Sequence, residues 1–285
     1  MKKIIAGCVI LYNPKKEDLE NLKTYSDKVN VLYVYDNTEN KSNEPYFENF
    51  TNVQYFSDLE NKGLSIRLNQ ACRLAINDGY EYLLTMDQDS SFDEKNIDLY
   101  FDSISNFENK EKVAIFGTEY NINEIKHNYP YFLEIDHVIT SGAIMNLNLF
   151  DKIGGFDENL FIDCVDIDYC YAALKKNLFV IKFTNIYFKH SLGEPVLRTS
   201  NFSFSRKKKC RTIHSNIRIY YMYRNSLFLE KKYGIIFPEY IAALKKRTRK
   251  AIKNNIKYSN KIFNIFIFCL RAKRDFINNR MGKLI

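Results

Sequence analysis

The chain has 285 residues, 46% of them hydrophobic, with 21 Tyr, 22 Phe and no Trp, which is apolar material enough for a large core and excludes a disordered chain. Its formal net charge of +8 is unevenly placed: residues 240–285 hold thirteen Lys/Arg against Asp275 alone, so this tail carries +12 and the other 239 residues −4. The six cysteines, Cys8, Cys72, Cys164, Cys170, Cys210 and Cys269, form no CxxC pair, which speaks against a disulfide framework or a cysteine zinc site and fits a reducing cytoplasm.

The opening "MKKIIAGCVILYNP" imitates a secretion signal, but only four residues separate the lysines from Cys8, against the roughly 7–15 of a signal core. Residues 3–11 read instead as a first strand ended by "YNP". Residues 15–28 place Leu19, Leu22 and Tyr25 on one helical face. "NVLYVYDN" (30–37) and "NVQYF" (52–56) are further strands. Leu64, Leu68, Cys72 and Ala75 then recur at helical spacing until Gly79, and "YEYLLTMD" is a fourth strand. Repeated β-α-β with unbroken apolar strands predicts a doubly wound, mostly parallel sheet with helices on both faces. Its ligand crevice lies at the carboxyl ends of the strands, where Tyr12, Asp36, Asp87 and Asp89 fall. No glycine-rich dinucleotide or phosphate loop follows the first strand.

Residues 113–190 are less regular: a strand, a short helix ended by Gly154-Gly155, an acidic turn opening a helix around Asp166, then "LFVIKF" and "IYFKHSLGEP" as strands and a loop carrying His190. The spacing gives a catalytic domain over 1–235 and a basic amphipathic helical region over 236–285. The most apolar piece of that tail, "KIFNIFIFCL" (261–270), is too short to cross a bilayer, while a helix lying in the interface is permitted.

Asp87 and Asp89 stand one residue apart after a strand, so in extended geometry both face one side and can hold a hard divalent cation with a diphosphate; a turn or helix cap is the plain alternative. Asp163, Asp166 and Asp168 crowd a helix start, which suits either capping or a general base near such a site. His190 is either a packed structural residue or a ligand of the metal or diphosphate. Asp93 and Glu94 read as the start of the next helix. The run "SRKKKCR" (205–211) and the tail are solvated faces or an anionic-surface contact.

The ordered set "VILYNP", "VYDN", "NKGLSIRLNQA", "LLTMDQDS", "SGAIMNLNLFDKIGGFDENLFIDCVDIDYC", "HSLGEP" and "YYMYRNSLFLEKKYG" resembles the family 2 inverting glycosyltransferases, specifically bacterial rhamnosyltransferases of surface-polysaccharide synthesis. The resemblance covers roughly residues 3–234 and implies the GT-A fold. It implies that Tyr12 and Asp36 contact the nucleotide base, that Arg67 and Asn69 lie near the diphosphate or ribose, and that Asp89 holds the metal with Asp87 on the ribose or in the metal shell. Asp166 stands at the Asp of the family's "ED" pair as candidate base, with Asp163 the alternative, and Asp168 matches the acid two residues on. Val165 and Ala172 depart from the family's Glu and Arg. Arg224 and Asn225 match its R-N motif, which suits a leaving diphosphate or a lipid-linked acceptor.

The expected activity is a metal-dependent transfer, with Mg²⁺ or Mn²⁺, of a sugar from dTDP-rhamnose or a UDP-sugar to a lipid-linked saccharide, at the cytoplasmic face of the plasma membrane. A nucleotidyltransferase and a non-catalytic anionic-surface binder are the competing readings; nucleic acid is not an expected partner. A homodimer through the aromatic-rich C-terminal third stays open.

Overall fold

A computed structural model describes residues 5–120, 130–190, 196–200, 208–259 and 262–284. The chain forms two compact units, Met1–Asp157 with Val165–Ser191, and Glu158–Cys164 with Leu192–Ile285.

The first unit runs β1 (Ile5–Leu11), α1 (Lys16–Leu22), β2 (Leu32–Asp36), β3 (Val53–Ser57), α2 (Gly63–Asn77), β4 (Tyr82–Asp87), β5 (Ser90–Ser91), α3 (Glu94–Ser105), β6 (Val113–Tyr120), β7 (Phe132–Glu134), β8 (Ala143–Asn146), α4 (Phe150–Ile153), α5 (Val165–Leu174) and β9 (Phe179–His190). The strand order is β3-β2-β1-β4-β8-β6-β9-β5, with β7 also paired to β9. β1 to β4 run parallel, as do β6 and β9. β8 enters antiparallel between β4 and β6, so the sheet is mostly parallel, as expected, with one reversed central strand. β1 and β2 are buried almost throughout, which is why their sequences show no polar alternation.

Side chains on alternate sides of each strand meet different helices. Val9, Leu11, Val34, Leu84 and Phe116 join Leu22 of α1 and Ile97, Tyr100 and Ile104 of α3 in one core cluster. The Tyr100 hydroxyl donates to the Phe116 carbonyl at 2.8 Å, so a fully buried phenol has its partner. On α2, Leu68, Cys72 and Ala75 of the expected stripe are buried and Ala71 joins them, whereas Leu64, at the helix start, is only half-buried.

Two local expectations change. The segments "LFVIKF" and "IYFKH" are one strand, β9, in which the register against β6 jumps from Thr118↔Phe183 to Glu119↔Tyr187. The extra residues form a bulge, and their polar Thr184-Asn185 reads in sequence as a break. Tyr25, grouped with Leu19 and Leu22 on one helical face, lies beyond α1 yet is fully buried. Asp93 does cap α3, accepting the Asn96 N–H at 3.0 Å.

The second unit contains β10 (Val196–Arg198) paired antiparallel with β11 (Lys209–Arg211), and the helices α6 (Asn216–Tyr233), α7 (Pro238–Tyr258) and α8 (Ile262–Ile277). β11 falls within the run "SRKKKCR", of which residues 205–207 lie outside the described residues. α6 is opened by Ser215, whose hydroxyl accepts the Arg218 N–H at 3.2 Å. Tyr220, Tyr221 and Ala272 form the centre of this unit, with Phe161, Ile162 and Phe268 against them. Asn255 is fully buried and bridges the His214 backbone in both directions, at 3.1 and 2.6 Å.

Candidate active site

The parallel register sets the polar strand ends side by side. Asp36 is the partner of Leu11, and Asp87 the partner of Ile10 on the opposite side of β1. Two carboxylates from separate β-α units thus flank the end of the first strand, at the edge where sheets of this topology bind ligands.

Asp87, Asp89 and His190 converge: one ligand atom from each lies within 4.8 Å of the others. The convergence is built by β5, whose Ser90 pairs with His190 across 100 residues of sequence. His190 Nδ1 lies 3.2 Å from Asp89 Oδ1 and 2.7 Å from Ser90 Oγ. Ser141 Oγ accepts the Asp87 N–H at 3.1 Å and donates to Ser90 Oγ at 2.8 Å. A hydroxyl chain therefore ties the backbone of one acid to the imidazole. Two carboxylates and one imidazole form a hard, oxygen-rich donor set suited to Mg²⁺ or Mn²⁺. The rest of "HSLGEP", residues 191–195, lies outside the described residues.

Gln88, between the two aspartates, locks β4 to β1. Its Oε1 accepts the Tyr12 N–H at 2.7 Å, its Nε2 donates to the Tyr12 carbonyl at 3.4 Å, and its own carbonyl accepts from Asn21 at 3.1 Å. Tyr12 itself is half exposed at the crevice edge, and Asn13, with φ 46°, turns the chain while donating its N–H to Thr38 Oγ1 at 2.9 Å.

Asp36 is fully buried. It accepts the Thr38 N–H at 2.8 Å, the Asn43 amide at 2.6 Å and the Tyr55 hydroxyl at 2.7 Å. Its carboxylate thus orders the loop after β2. Arg67, also buried, points its guanidinium at Asp58, at the Asn37 side chain (2.8 Å) and at the Glu60 carbonyl (3.1 Å). Partial burial pushes the Asp58 carboxyl up, but the hydrogen bonds from Arg67 and Lys62 outweigh it and bring it down to about 2. Asn69 donates to the Phe156 carbonyl at 3.0 Å and accepts the Phe156 N–H at 2.8 Å, closing the "GGFD" turn onto α2.

At the start of α5 the acids differ in access. Asp166 is partly exposed and accepts the Ile167 N–H at 2.9 Å, whereas Asp168 is buried. Nearby, burial pushes the Cys170 thiol far up, with Asp166, Asp136 and Asp168 adding to the rise. The start of this helix is therefore a region of negative potential.

Within the second unit, Asp163 pairs with Arg218 at 3.3 Å. Asp163 and Cys164 both adopt left-handed backbone, at φ 63° and 66°, a conformation that costs non-glycine residues about 1 kcal/mol or more each. Asn225 holds this turn by donating to the Ile162 and Asp163 carbonyls, each at 2.8 Å. Arg224 is fully buried between the rings of Tyr220 and Tyr221, 5.2 and 5.1 Å from their centroids. Its Nη1 donates to the Tyr220 hydroxyl at 3.2 Å, and that hydroxyl donates to buried Asp275 at 2.9 Å.

Sequence reading had missed Gln88, Ser90, Ser141 and Asn43. Gln88 and Ser90 lie inside the quoted "DQDS" and Ser141 inside "SGA", but their partners are far apart in the chain. The β1–β4 pairing brings Gln88 to Tyr12, the β4–β8 pairing brings Ser141 toward Asp87, and the β5–β9 pairing brings Ser90 to His190.

No protein-family model matches the chain. Over 252 residues, 81% of this chain and 81% of the relative, it is 25% identical to the dTDP-rhamnosyl transferase RfbF of Shigella flexneri. Its structure superposes with a TM-score of 0.61 on that of GalNAc-T7, solved with UDP, GalNAc and Mn2+, at 10% sequence identity. That match takes in 97% of this chain and 57% of the longer one, so the chain spans just over half the length of that neighbour. In sequence the chain is thus rhamnosyltransferase-like, and in fold it is GT-A.

Proposed function

We propose that the protein is an inverting, divalent-cation-dependent glycosyltransferase that moves L-rhamnose from dTDP-rhamnose to a hydroxyl of a lipid-linked or growing surface-polysaccharide acceptor. The observation that carries this reading is the convergence of Asp87, Asp89 and His190 at the carboxyl edge of a GT-A sheet. The rhamnosyl transferase relative supports the donor, and six free cysteines support a reducing compartment; a lipid-linked acceptor would place the reaction at the inner face of the plasma membrane.

In this reading the exposed Tyr12 ring stacks on the nucleotide base. Asp36 and Arg67 act through the loops they order, Asp36 through Thr38 and Asn43, Arg67 through Asn37 and Asp58. Asn69 sets the "GGFD" turn that leads toward the acids, and Asp168 stays inside α5 as a support for Asp166. Asp87, Asp89 and His190 hold the cation, which when bound supplies positive charge to the departing nucleoside diphosphate. Asp166 takes the proton from the acceptor hydroxyl, whose oxygen attacks the anomeric carbon. The bond from that carbon to the diphosphate oxygen breaks, its electron pair leaves with the nucleotide, and the anomeric centre inverts. Both acids are partly open to solvent, and Asp166 suits the base better because Asp163 is paired with Arg218. Arg224 and Asn225 serve the transfer by holding the helices and the turn before Asp166.

Asp166→Asn should leave donor affinity intact and lower transfer roughly 10²- to 10⁴-fold, measured by release of nucleoside diphosphate in the presence of acceptor. Unchanged turnover would remove Asp166 from this role. In the same assay a chelator should stop transfer and added Mn²⁺ restore it; activity that survives chelation rejects the cation site. A panel of nucleotide-sugars separates dTDP-rhamnose from a UDP-hexose donor.

A further inference from the structure

α8 exposes an apolar row that nothing in its own unit covers. Phe263, Phe266, Ile267, Leu270 and Ile277 are 76%, 52%, 45%, 70% and 68% exposed. They follow one another at steps of three, one, three and seven residues, which on a helix puts them along one face. The opposite face, through Ile265, Ala272 and Asp275, is buried against the rest of the unit. Scattered exposed apolar residues are ordinary on a protein surface. Five large ones in a single row on a helix of 16 residues are a patch that marks an interaction site.

The charges select its occupant. Lys273 falls three residues after Leu270 and four before Ile277, and Arg274 four after Leu270, so both cations sit on the apolar row, and both are exposed. α7 adds exposed Lys246, Arg247, Arg249, Lys250, Lys253 and Lys257, and among the described residues none of these six meets an acidic partner. A second copy of the chain would bring two tails of +12 together and pay in repulsion. No described helix is long and apolar enough to cross a membrane. Apolar side chains with cations on the same face match a layer whose surface is anionic and whose interior is hydrocarbon.

We propose that the face of α8 formed by Phe263, Phe266, Ile267, Leu270, Lys273, Arg274 and Ile277 docks in the headgroup region of an anionic lipid bilayer. The rings and aliphatic side chains enter the acyl boundary while Lys273, Arg274 and the cations of α7 meet lipid phosphates. This docking is independent of the transfer chemistry, so neither outcome of the Asp166 experiment bears on it.

The full-length protein tests it by flotation with phosphatidylcholine vesicles, with and without phosphatidylglycerol. The wild type should float with the anionic vesicles, lose binding in high salt and bind neutral vesicles weakly. Phe266→Ser with Leu270→Ser, and separately Lys273→Glu with Arg274→Glu, should each weaken partitioning roughly tenfold or more, with circular dichroism and donor hydrolysis unchanged. The chain has no Trp, so Phe266→Trp gives a single reporter whose emission should shift to the blue when anionic vesicles are added. Wild type that stays with the buffer, apolar variants that float as wild type, or an unshifted tryptophan would overturn the proposal. So would self-association without vesicles that the Phe266→Ser, Leu270→Ser pair abolishes, since the face would then belong to a second copy.

Discussion

At the scale of single residues, the polar groups near the crevice divide into those open to a ligand and those that hold loops. Tyr12, Asp89 and Asp166 keep exposure, whereas Asp36 and Arg67 are buried in hydrogen bonds with their own surroundings. The Asp58–Arg67 pair has a pH signature. A carboxyl near 3.9 in the unfolded chain and at about 2 in the folded one binds its proton more weakly when folded. The pair's contribution is therefore fully present above the unfolded value and is lost as the pH falls toward about 2. Asp58→Asn should lower stability at neutral pH and converge with the wild type in acid; parallel pH–stability curves would show that the pair contributes nothing. Solvent reaches Asp58, so the separation should shrink in salt. A D-x-D after an apolar run reads by itself as readily as a turn or cap, so the acids of this site were legible in sequence only through their place at the end of a parallel strand and among the other ordered motifs. The hydroxyls of Ser90 and Ser141 were not, because serine's role is set by neighbours that only the fold supplies.

At the scale of elements, the parallel strands β1 to β4 and α2 could be read from the chain almost to the residue, since buried strands and amphipathic helices write their periods locally. β8 could not, because a strand of four buried residues looks the same in either direction and only its neighbours fix it antiparallel. The turn that feeds β8 contains Gly142, at φ +67°, where an added Cβ would come 2.5 Å from the Phe188 ring. Phe188 lies on β9 two residues before His190, so this glycine lets the strand that carries His190 and the "SGA" turn approach. Gly142→Ala should cost about 2 kcal/mol or more, combining left-handed strain with overpacking, read as a lower denaturant midpoint. A midpoint equal to the wild type would mean that the ring moves aside freely.

At the scale of the whole molecule, neither unit is a single stretch of sequence, because Glu158–Cys164 belongs with Leu192–Ile285. Nothing in composition marks that exchange, for the segment contains no linker residues and its allegiance is decided by packing of Phe161 and Ile162 near Tyr221. A truncation ending at residue 235 removes α7 and α8, and with them Ala272 and Asp275, the partners of Tyr220 and Tyr221. It should be poorly soluble and quickly proteolysed. A truncated protein as resistant to protease as the full chain would show that α6 needs neither helix.

The turn at Asp163 and Cys164 also has a history in time. It leaves the ribosome 62 residues before Asn225, the side chain that bonds its carbonyls; at about 5–20 residues per second this is a wait of roughly 3–12 s. During that interval the Asn225 amide is not yet there for the two left-handed residues. The turn before Asp166 can take its bonded shape only once α6 has been made, so the order of synthesis places its completion after that of the strands β1 to β9.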